Sequence, residues 1–63
     1  MTQKELLYFE DAIKHEQNLL VYLNSILDNS MAEDVHNFID SEIKCHENIK
    51  KRLTDRLGEE SNE

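Results

Sequence analysis

From Leu6 to Leu27 the apolar residues return at helical spacing. Leu6, Ile13, Leu20 and Leu27 are spaced by seven, and Phe9 and Leu23 fill the companion positions of a bundle seam. Tyr8, Ala12, Leu19, Tyr22 and Ile26 form a second strip that broadens this face, and so wide a face expects more than one neighbour. Asp28-Asn29-Ser30 then breaks the pattern, with Asn29 suited to the left-handed conformation that ends a helix. A second amphipathic stretch follows, its stripe reading Val35, Ile39, Glu42, His46, Ile49 and Leu53. Thr2 with Glu5, and Ser30 with Glu33, have the spacing of capping boxes, and Gly58 is a natural stop. The spacing predicts helices over about 3–28 and 31–57. Together they make a helical hairpin over 1–58, followed by a flexible acidic tail at 59–63.

A link of two or three residues makes the helices antiparallel neighbours, so the expected fold is all-α, an antiparallel two-helix hairpin. One hairpin covers one seam and leaves the rest of each stripe wet. Two hairpins packed together form a four-helix bundle, so a homodimer is expected, with docking onto another helical protein as the alternative. The residues assigned to this dimer or partner interface are Leu6, Phe9, Ile13, Leu20, Leu23, Leu27, Val35, Ile39, Ile49 and Leu53, with Tyr8 and Tyr22 as its aromatics.

Composition narrows the choices. A 63-residue chain makes one small domain whose core is marginal by itself. Cys45 is the single cysteine, so a disulfide does not supplement that core, and an unpaired thiol suits a reducing cytoplasm. The absence of proline and the single glycine fit a helical chain. A net charge of -7 argues against nucleic acid as a partner, and no apolar run has membrane-spanning length.

Three polar residues intrude on the apolar stripes. Pairing the helices about Asn29-Ser30 puts Glu16 level with position 44, between Glu42 and His46. Two carboxylates and an imidazole at one level make half of a di-iron carboxylate site, and two-fold symmetry would supply the rest. Such ligands suit iron, manganese or zinc. The usual second-helix spacing is Glu-x-x-His, whereas here it is Glu42-x-x-x-His46, with Cys45 at the expected histidine position. The competing reading is a buried Glu–His pair that sets register and needs no cofactor. Glu10 is expected to pair with Lys50 or Lys51 on the surface, His36 to be exposed, and Cys45 to be a small packing residue rather than a nucleophile.

The run Gln3-Lys4-Glu5-Leu6-Leu7-Tyr8-Phe9-Glu10-Asp11-Ala12, followed by His15-Glu16, resembles the opening of small ferritin-like, rubrerythrin-like proteins related to spore coat protein F of spore-forming Firmicutes. In the second helix only His46 and a final leucine, Leu53 or Leu57, are similar to that pattern. The resemblance implies half of a ferritin-like bundle and an association with the spore. It does not imply ferroxidase activity, because many such coat-related members look structural, and the family's metal ligands are not carried over, since the Glu-x-x-His motif is missing. The clean helical pattern, the two capping boxes and the absence of an obvious site make the expected function non-enzymatic: a cytoplasmic protein acting by self-association or protein binding, with a place in the spore coat implied by the resemblance. The alternatives are a metal-binding ferritin-like module shared by two chains, and a small acidic regulator of another protein.

Overall fold

The computed structural model describes residues 1–61. Its two elements are α1, Gln3–Asn29, and α2, Glu33–Ser61, which pack side by side as an all-α hairpin. The antiparallel course brings the Met1 ammonium to Glu60 at one end and Glu16 to His46 in the middle. The hairpin extends 47 × 14 × 11 Å between its outermost backbone positions.

α1 begins with the expected capping box. The Glu5 N–H donates to the Thr2 hydroxyl at 3.1 Å, and the Thr2 N–H donates to the Glu5 carboxylate at 3.0 Å. Two of the otherwise unpaired first-turn donors are thereby satisfied.

The link differs from the expected one. Asn29 stays within α1, its side-chain amide donating to the Ser25 carbonyl, and no residue other than glycine has a positive φ among the described residues. Ser30 caps the end of α1 rather than opening α2. Its N–H donates to the Leu27 carbonyl, and its hydroxyl turns to the Ala32 carbonyl. α2 therefore starts at Glu33, two residues after the expected Met31, and the link is Ser30-Met31-Ala32.

The far end also differs. α2 continues through Gly58 to Ser61, and Gly58 does not have a positive φ. Arg56 bridges to Glu59 at 3.5 Å and to Glu60 at 3.1 Å, so ion pairs one turn apart span the glycine and carry the helix past it. The tail expected at 59–63 is helical as far as Ser61. Asn62 and Glu63 lie outside the described residues.

The core is thin. Among the described residues only Leu23, Ile39 and Ile43 are buried, with Leu19, Leu20, Ile26 and Leu27 packed around them. Ile43, the most enclosed at 5 % exposed, lies one residue past the expected stripe. The stripe that meets α1 runs Ile39, Ile43, His46, Lys50, Leu53 and Leu57, whereas Val35 is 44 % exposed. Leu6, Phe9, Ile13, Leu20, Leu27, Ile49 and Leu53 are half-buried, and Tyr8 and Tyr22 are exposed.

Candidate functional site

Helical geometry places Glu16 at the phase of the core leucines of α1, and places Glu42 and His46 one turn apart on α2. The hairpin brings all three together. His46 Nδ1 lies 2.7 Å from Glu16 Oε2, which is a short hydrogen bond between the helices. His46 Nε2 lies 3.8 Å from Glu42 Oε2, within ion-pair range but too long for a hydrogen bond. Glu16 thus faces His46 directly instead of the midpoint between Glu42 and His46. Glu16 and His46 are 17 % and 22 % exposed, and Glu42 is 42 % exposed at the edge.

The chemistry follows from which nitrogen meets which carboxylate. The two ring nitrogens of imidazole point away from each other, so Glu16 and Glu42 bracket the ring. A proton on Nδ1 serves Glu16; a second proton, on Nε2, makes a cation between two anions. A metal would need one free imidazole nitrogen and both carboxylates on the same side of it. Among the described residues, no group of three or more His, Cys, Asp or Glu side chains is gathered in such an arrangement. What the observed arrangement does is tie the two helices at mid-length through a directional contact.

The other candidates lie apart from this cluster. Lys51 pairs at 2.8 Å with Asp55 on its own helix, not with Glu10, because a partner one turn away needs no rotation of the hairpin. Cys45 is exposed rather than packed. His15 and His36 are exposed. Lys50 is half-buried between the helices and was not expected there. Its phase, seven residues after Ile43, carries the signal, because its stem continues the stripe.

The hairpin has two unlike broad sides. One is an open groove bordered by Leu20, Asn24, Asn48, Lys50 and Thr54. The other carries Tyr8 and Tyr22 from α1 and Phe38 and Cys45 from α2, all exposed, beside half-buried Leu19, Ile26 and Ile49. Comparison of the chain with protein-family models, curated proteins and solved structures finds no match.

Proposed function

We propose that this protein is a non-enzymatic helical hairpin that acts by self-association. The observation that carries the reading is the mismatch between its core and its apolar content. Among the described residues three side chains are buried, while Tyr8, Tyr22 and Phe38 are each about three-fifths exposed on one side. Large aromatics concentrated on one side of a small helical protein mark an interaction surface. The Glu16–His46–Glu42 cluster then serves as the internal register lock of each hairpin.

Two further observations favour this reading over its rivals. The bracketed imidazole favours a hydrogen-bonded lock over a metal centre. Several acidic residues are engaged with basic neighbours one turn away, as in Asp40–Lys44 and Asp55–Lys51, which breaks up the dense acidic row that a charge-based regulator would present. The resemblance to spore coat proteins extends the proposal to a place in the spore, where a self-associating helical protein would contribute to a layered assembly.

Sedimentation equilibrium over a wide concentration range tests the reading. The expected result is a species of twice the 7.5 kDa chain mass, with a melting temperature that rises with concentration. A single folded 7.5 kDa species at all concentrations would overturn it.

A further inference from the structure

Resting on the self-association reading, we infer that the aromatic side of the hairpin is covered by a second copy of this chain packed end for end. In this arrangement α2 crosses α2 of the partner, and the two turns lie at opposite poles.

A compact monomer of this mass exposes about 4,250 Å². The hairpin exposes 5022 Å². The excess is on the order of 800 Å², which is what one partner contributes to a standard interface. The 47 × 14 Å broad side has the extent to bury that much.

Charge selects the second copy's orientation. The first half of α2 is acidic, with Glu33, Asp34, Asp40 and Glu42 against Lys44. The stretch 48–57 is basic, with Lys50, Lys51, Arg52 and Arg56 against Asp55, and Glu59 and Glu60 lie beyond it. On the aromatic side, crossing α2 antiparallel on itself at Cys45 sets Asp34 of each copy over the part of the partner's helix that carries Arg52 and Arg56. Two-fold symmetry forms the contact twice. With both turns at the same pole, Asp28, Glu33 and Asp34 of both copies would instead crowd together, with like charges facing each other.

Position along the helix also fits. Cys45 lies within two residues of the middle of α2, on the aromatic side, so a crossing there aligns the helices along most of their length. Phe38 and Arg52 lie seven residues to either side of Cys45 and so face one another across the pair, in reach of a cation–π contact. Asp34 stands one turn before Phe38, within reach of the partner's basic stretch.

The test places a nitroxide label at the turn. Met31 is fully exposed, so Met31→Cys carries the label without disturbing packing, in a Cys45→Ser chain first shown to sediment as the wild type does. Pulsed electron resonance on the dimer is expected to give an inter-label distance approaching the 47 Å length of the hairpin. A distance below half that length overturns the end-for-end arrangement and leaves self-association standing. A labelled and an unlabelled chain that are both monomeric overturn both. In a second experiment, Asp34→Arg is expected to raise the dimer dissociation constant roughly tenfold, and adding Arg52→Asp to restore it. If the double variant is no tighter than Asp34→Arg alone, α2 does not cross α2.

Discussion

The half of the hairpin beside the turn and the half beside the termini are held together differently. Near the turn, Leu23, Ile39 and Ile43 are enclosed by leucines and Ile26 of α1. From mid-length outward, directional polar contacts join the half-buried Leu6, Phe9, Ile13, Ile49 and Leu53: Glu16 with His46, then the Met1 ammonium with Glu60. Apolar contact is non-directional and tolerates a helix sliding along its neighbour. A 2.7 Å hydrogen bond does not. The turn half therefore supplies most of the cohesion, and the other half supplies the register.

The largest expected effect tests cohesion. Ile43→Ala removes the most buried side chain and is expected to cost about 2–5 kcal/mol. For a domain of this size that is most of the total stability. Urea denaturation followed by circular dichroism measures it. A smaller loss than from any change in the polar half would reverse the comparison.

The next effect tests register. His46→Ala leaves the partly buried Glu16 carboxylate without its partner. A cost of about 1–3 kcal/mol is expected, towards the lower end because both groups retain some contact with water. Glu42→Ala is expected to cost less, since Glu42 is more exposed and 3.8 Å away. A double-mutant cycle on Glu16 and His46 should show coupling that the Glu42–His46 cycle lacks. Wild type and Glu42→Ala are also expected to melt alike with and without added zinc. Stabilisation of the wild type alone by zinc would turn the lock into a metal centre.

Smaller effects mark the edges. Thr2→Ala is expected to lower the melting temperature by roughly 4 °C at neutral pH. The Thr2 N–H, and then its hydroxyl, hold the Glu5 carboxyl below its ordinary value. A carboxyl held down in the folded chain stabilises above its ordinary pKa of about 4.3, and that contribution disappears as pH falls through the depressed value. Thr2→Ala keeps the backbone N–H, so both proteins should lose this contribution in acid, and the difference between them should narrow only by the hydroxyl's share. Lys51→Ala is expected to shift melting by less than about 2 °C. The hydrogen bond to Asp55 holds the Lys51 ammonium above its ordinary value, so what it contributes is present below the ordinary lysine pKa and is lost as pH rises through the raised one.

Much of this architecture is written in residue spacing. Leucines seven apart, a polar break at Asp28-Asn29-Ser30 and the Thr2–Glu5 box suffice for two antiparallel helices. The convergence of Glu16, Glu42 and His46 follows once the turn is placed. What spacing left obscure has physical causes. A regular α-helix drifts about 20° per heptad against a seven-residue repeat. Over 29 residues of α2 this decides whether Val35 or Ile43 faces α1, and adjacent stripes both look apolar. Gly58 looks like a stop because local propensity says so, and only the Arg56 pairs with Glu59 and Glu60 reveal why the helix continues. The nitrogen-by-nitrogen bracketing of His46 depends on a register shift of a residue or two, finer than any pattern of residue types.

The three-residue link has a consequence beyond packing. By returning α2 to the level where α1 starts, it puts both entrances to the fold at one pole, where Met1 touches Glu60. Anything joined to either end of the hairpin would leave from that pole and none from the turn. In an end-for-end pair, the two poles that bear attachments face away from each other across the length of the assembly. The molecule would then work as a short strut with a coupling at each tip, spacing whatever it joins by a distance set by the length of its helices.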